Sequence, residues 1–155
     1  MFTLSHTLAV NDAVPKLTRG QLWQGLVLKA ENPVPFLEAM SACTIVERGE
    51  NWLLRDFTLR GEEMQEHVTF EPENSVLFER TKSSAMGSVL NEIVELENGE
   101  LGLRFTFVLD VEGLEDGSAE EADFAERMSQ SYFQGVASTL AEIRRRVAAG
   151  ELATS

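Results

Sequence analysis

The chain is poor in the residues that build disulfides, metal centres and nucleic-acid surfaces. Cys43 is its one cysteine, so no intrachain disulfide can form, which fits a reducing cytoplasm. His6, His67 and Cys43 are too few and too scattered to make a metal-ligand pattern. We expect neither metal nor cofactor. Basic residues are outnumbered: 13 Lys and Arg face 26 Asp and Glu, a net charge of −13 over 155 residues. Such a surface repels phosphate backbones and anionic headgroups, so nucleic acid and membranes are poor partners. The opening "MFTLSHTLAVND" has neither a basic n-region nor a long apolar run, which argues against a signal peptide or a membrane span. No glycine-rich phosphate loop follows a strand pattern. Ser83 and Ser84 have no adjacent acid–histidine set, which leaves a hydrolase triad unsupported.

What is present is a core and a clear order of elements. At 43% hydrophobic residues with nine Phe, one domain over residues 1–155 can bury a sizeable interior. Residues 2–10 alternate loosely as a strand. Thr18 and Gln21 then form a capping-box pattern, followed by Leu22, Trp23, Leu26, Val27 and Ala30 on one helical stripe. The Asn32-Pro33-Val34-Pro35 break ends that helix, because proline lacks an N–H and disfavours helix in the residue before it. A second short helix is predicted over "FLEAM", just after Pro35. From Ala42 the period changes to two, with strands at about 42–48, 51–60, 63–71, 75–82, 86–97 and 101–112. Short turns between them dictate an antiparallel meander, and Asn98-Gly99 suits a two-residue hairpin. A capping box at Ser118 and Glu121 opens a last helix to about Ala149, with Ala125, Met128, Tyr132, Val136, Leu140, Ile143 and Val147 in one stripe. Gly135 inside it points to close packing or a bend.

The long helix can bury its stripe only on the concave face of the sheet. This order resembles the helix-grip fold of the START and birch-pollen-allergen superfamily, also called SRPBCC. Within it the chain is similar to the AtaL-like family, through "LTRGQLWQGLVLKAENPVPF", "CTIVERGENWLLRDFTLRG" and "EHVTFEPENSVLFER". The resemblance implies an α+β helix-grip fold: a seven-stranded curved antiparallel sheet around a long C-terminal helix, with two short helices after the first strand. It carries no functional residue across, and fold alone does not give function.

Candidate site residues therefore come from register. The predicted turns place Leu90, Phe105 and Phe107 on the inner face, with four charged exceptions: Arg55, Glu66, Arg80 and Glu92. A two-residue turn at Asn98-Gly99 sets Glu92 opposite Phe105 and Leu90 opposite Phe107. Another at Gly61-Glu62 sets Phe57 opposite Glu66 and Arg55 opposite Val68, and a five-residue loop at "EPENS" sets Val68 opposite Phe78 and Glu66 opposite Arg80. A one-residue bulge would flip these assignments. The four charges are read either as a structural cluster, with Glu66 and Arg80 paired across strands, or as groups that orient a ligand's carboxylate, hydroxyl or carbonyl. Tyr132 and Val136 face them from the helix, and Glu92 and Tyr132 are the candidate acid/base groups. Three functions follow: a module binding a small hydrophobic or amphipathic molecule between sheet and helix, an enzyme of the polyketide cyclase/aromatase type, or a protein-interaction domain. The binding module is favoured, because no second acid/base group can be placed beside the first.

Overall fold

Where the hydrophobic period changes from helical to alternating, helix gives way to sheet. The structure, a computed structural model, describes residues 1–152. Strand β1 (Phe2–Ala9) leads to helix α1 (Arg19–Glu31), and β2 (Met40–Gly49) begins nine residues later. The meander continues through β3 (Trp52–Leu59), β4 (Glu62–Glu71), β5 (Ser75–Lys82), β6 (Ala85–Glu95) and β7 (Leu101–Val111), and helix α2 (Ala119–Ala148) closes the order. One seven-stranded sheet runs β1-β7-β6-β5-β4-β3-β2, each pair antiparallel. The sheet curves around α2 in a helix-grip fold. Among the described residues no helix is long and apolar enough to cross a membrane.

Helix α1 starts on the predicted capping box. Thr18 Oγ1 accepts from the Gln21 N–H at 3.1 Å, and Gln21 Oε1 accepts from the Thr18 N–H at 3.0 Å. The second capping box is only half made. Ser118 Oγ accepts from the Glu121 N–H at 3.1 Å, but the Glu121 carboxylate turns to the Gly117 N–H and the Met1 ammonium instead. A full positive charge attracts it more than a neutral amide does.

The predicted second short helix is one hydrogen-bonded turn. The N–H groups of Phe36 and Leu37 both donate to the Pro33 carbonyl at 2.9 Å, and the Met40 N–H then donates to Leu37 at 3.1 Å. Two prolines in three residues leave too few donors to propagate a helix. The turn has a purpose in packing: it buries the Phe36 ring under the Arg146 guanidinium, and Ser138 Oγ donates to the Phe36 carbonyl at 2.8 Å.

The two helices meet at Gly25. A Cβ there would lie 2.4 Å from Ile143 Cγ1, so only glycine admits the approach. Leu22, Leu26, Val136, Leu140 and Ile143 fill this contact, and Leu103, Phe105, Phe107 and Leu109 of β7 supply the sheet side. Gly135 is different. Its nearest neighbour is Leu37 Cδ2, 3.5 Å from an added Cβ, so it marks no tight crossing; it borders the cavity.

Candidate functional site

Between the sheet, the turn after α1 and the middle of α2 lies a cavity of about 460 Å³. Phe78, Val89, Phe105 and Phe107 make its apolar wall, and Glu38, Arg60 and Gln134 stand at its exposed mouth. Arg55, Glu66 and Arg80 all reach it, together with Tyr132 and with Lys29 of α1. Of the residues expected from register, Arg55, Glu66, Arg80, Phe105, Phe107 and Tyr132 are thus brought together. Glu92, Leu90 and Val136 are not.

The β3–β4 hairpin explains the first group. Its central residues are Arg60 and Gly61, with φ of 48° and 82°, not Gly61 and Glu62 as read from sequence. The pairing moves by two residues, to Phe57 opposite Met64 and Arg55 opposite Glu66. A shift of two preserves the face of every side chain. The β4–β5 pairing is as expected, with Val68 opposite Phe78 and Glu66 opposite Arg80.

The β6–β7 hairpin explains the second. The Gly99 N–H donates to the Leu96 carbonyl at 2.9 Å and the Leu96 N–H to Glu100 at 2.8 Å. The loop therefore has three residues, with Gly99 at φ +82°, the left-handed position that ends such a loop in a bulge. The expected two-residue turn moves by one, and a shift of one exchanges the faces. Asn91 now lies opposite Phe105 and Val89 opposite Phe107. Glu92 stands on the outer face opposite Arg104, whose Nε and Nη2 donate to its Oε1 at 3.1 and 3.0 Å. Both side chains of that pair are partly exposed, at 26% and 42%. Arg104→Ala should change unfolding free energy by less than about 1 kcal/mol, as chemical denaturation would register. Val136, by contrast, is wholly buried in the α2 stripe.

The buried charges form a cluster around one carboxylate. Arg55 Nε and Nη2 donate to Glu66 Oε1 at 3.2 and 2.8 Å, and Arg55 Nη1 donates to the carbonyls of Lys29 and Ala30 at 3.3 and 2.8 Å. Every donor group of Arg55 is therefore engaged. Arg80 is held less closely: its Nη1 donates to Ala85, while its Nε lies 3.7 Å from Glu66 Oε2 and has no hydrogen-bond partner among the described residues. The side chains of Arg55, Glu66 and Arg80 are 3%, 4% and 6% exposed.

Lys29 reaches the cavity from α1, so strand register does not reveal it. Its signal is helical spacing: it lies seven residues after Leu22 and three after Leu26, on the buried face of α1. Its Nζ donates to Asn91 Oδ1 at 2.6 Å and lies 4.4 and 5.1 Å from the ring centres of Phe105 and Phe78. Burial strips the ammonium of water, and the Arg55 charge adds repulsion that Glu66 only partly offsets. The pKa falls from 10.5 to about 7. Asn91 Nδ2 is buried and has no hydrogen-bond partner among the described residues. Tyr132 stacks on Phe107 with ring centres 3.6 Å apart and planes within 3°. Burial raises its phenol pKa, opposed by the nearby Arg80 guanidinium.

His67 lies on the outer face stacked against Trp52, with ring centres 5.3 Å apart. Among the described residues no group of His, Cys, Asp and Glu is arranged to hold a metal ion.

This geometry sits on a known scaffold. The Zhui aromatase/cyclase from Streptomyces sp. R1128 superposes with a TM-score of 0.72 at 17% identity, over 97% of this chain and 99% of that one. The di-domain aromatase/cyclase StfQ from the steffimycin biosynthetic pathway gives 0.67 at 15% identity, over 94% of this chain and 52% of that one, so this chain spans about half of its length. Ara h 8.0201 gives 0.57 at 12% identity, over 96% and 98%. At these identities the likeness is one of fold. No curated protein matches the sequence. The family model described as acetylaranotin biosynthesis cluster protein L matches residues 4–150, and the chain belongs to this AtaL family.

Proposed function

We propose that the protein binds a small, largely apolar molecule in the cavity, oriented by an oxygen-bearing or anionic group that meets Arg80 and Lys29. The supporting observation is the imbalance of buried charge. Three basic side chains, Lys29, Arg55 and Arg80, border an apolar cavity that holds the single buried carboxylate of Glu66. Arg55 is consumed by Glu66 and by the end of α1, whereas the Arg80 Nε has no hydrogen-bond partner among the described residues. A buried donor without an acceptor is costly, and a ligand oxygen would relieve it. This local excess of basic groups stands in a chain whose net charge is −13.

The test uses two fluorescent probes, anilinonaphthalene sulfonate and its uncharged relative phenylnaphthylamine. Both should bind saturably at one site per chain, and Arg80→Gln should weaken the sulfonate at least about fivefold more than the neutral probe. Gly135→Phe, which projects a ring into the cavity, should weaken both. Absence of saturable binding, or indifference to Gly135→Phe, would count against the proposal.

A second reading is an enzyme of the polyketide cyclase/aromatase type, favoured by the likeness to aromatase/cyclases and by a phenol and an amine on the cavity wall. There Tyr132 and Lys29 would handle protons for a folded ketone chain. Glu92 drops out as its acid, because it lies on the outer face. A product formed from a poly-ketone thioester by the native protein and lost in Tyr132→Phe, with substrate affinity retained, would select this reading.

A further inference from the structure

We propose that Lys29 is an amine nucleophile, which captures an aldehyde or ketone group of an apolar molecule in the cavity as a reversible imine. This rests on the cavity being a binding site. The chain has three lysines, Lys16, Lys29 and Lys82. Lys16 and Lys82 are exposed, and among the described residues Lys29 is the one lysine that lines the cavity.

Position sets Lys29 apart from the other amines. The Lys29 Nζ lies among the aromatic faces of Phe105 and Phe78, and it donates to Asn91 Oδ1 at 2.6 Å. The one carboxylate that could hold it as a cation, Glu66, is turned to Arg55 and Arg80 instead. The charged and titratable groups around the cavity are Arg55 from β3, Glu66 from β4, Arg80 from β5 and Tyr132 from α2, with Arg60 and Glu38 at the mouth. The cations outnumber the carboxylates in the interior, so the uncharged amine is the form the surroundings favour. Its pKa of about 7 accords with that. An uncharged amine has a free lone pair, and desolvation in an apolar pocket is a recognised route to one.

The Met1 ammonium is paired with Asp116 and Glu121, which push its pKa up to about 10. It stays protonated and unreactive at neutral pH, where an α-amino group would ordinarily compete.

The chemistry closes without a further reagent. The Nζ lone pair forms a C–N bond to the carbonyl carbon as the C=O π bond breaks towards oxygen. One amine proton moves to that oxygen. The C–O bond of the resulting carbinolamine then breaks, and water leaves with both amine hydrogens to give C=N. Hydrolysis reverses each step.

The experiment incubates the folded protein at pH 7 with 2-naphthaldehyde and sodium cyanoborohydride, which fixes the imine as a secondary amine. Peptide mass spectrometry then locates it. Lys29 should be labelled at least about tenfold faster than Lys16, Lys82 or the α-amino group. In Lys29→Arg the cavity label should vanish. In parallel, binding of 2-naphthalenemethanol, which fits the same space and cannot form an imine, reports on the cavity itself. If the alcohol binds but Lys29 carries no faster label, the imine is overturned while the binding reading stands. If neither compound binds, both fail. Site mapping on the wild-type chain decides the matter even where Lys29→Arg does not fold.

Discussion

Glu66→Ala should lower the unfolding free energy by about 3–5 kcal/mol in urea denaturation at neutral pH. The carboxylate is 4% exposed and accepts two hydrogen bonds from Arg55, with Arg80 Nε 3.7 Å away. Removing it strands two guanidinium groups in an apolar wall beside Lys29, and arginine cannot shed its proton to escape. Glu66→Gln should cost less, since an amide oxygen can still accept from Arg55. Arg80→Ala should cost roughly 1–2 kcal/mol, because Arg55 stays as the main counterion of Glu66 and only one hydrogen bond, to Ala85, is lost. An Arg80→Ala loss as large as that of Glu66→Ala would reverse this assignment of partners, and a Glu66→Ala loss below about 1 kcal/mol would mean that water reaches the cluster.

The second large effect is a dependence of stability on pH that belongs to one side chain. Lys29 binds its proton with a pKa near 7 when folded, against 10.5 as the ordinary value. Between those values the unfolded chain holds more protons, so the wild-type protein gains stability as pH rises through this window. Below about pH 7 the buried charge imposes its full penalty. Lys29→Met removes the titration and keeps the apolar stem. The advantage of the Met variant over wild type should therefore be greatest at pH 6. It should shrink by about 1.4 kcal/mol for each pH unit above 7, which amounts to roughly 3 kcal/mol by pH 9. Paired urea titrations at pH 6 and 9 measure this double difference, in which other titrating groups cancel. An unchanged difference would place the ammonium in contact with water.

The two hairpins show what can and cannot be read from residues alone. Alternation located all seven strands to within about two residues, because one buried face imposes period two whatever the turns do. The faces of Arg55 and Glu66 survived a misplaced turn, since the error at Arg60-Gly61 was an even number of residues. Glu92 did not survive, because Gly99 closes a three-residue loop and the error was odd. Asn-Gly serves both kinds of loop, and no neighbouring residue distinguishes them. Lys29 was legible in principle from its place on the stripe of Leu22 and Leu26. A lysine on a helix usually sends its charge out to water along its stem. Here the face it shares is wholly covered, and that covering comes from distant strands.

The two hydrogen bonds from Arg55 Nη1 to the carbonyls of Lys29 and Ala30 have a consequence for association rates and affinities. They hold the backbone of Lys29 from below, while Asn91 holds its tip from the side. A free lysine side chain would surrender about 2 kcal/mol of rotamer entropy on being ordered by a ligand. In this protein that loss is incurred during folding, so an incoming molecule meets an amine already aimed. Loosening the anchor at Arg55 would then slow capture and weaken retention by returning that ordering cost to the binding step.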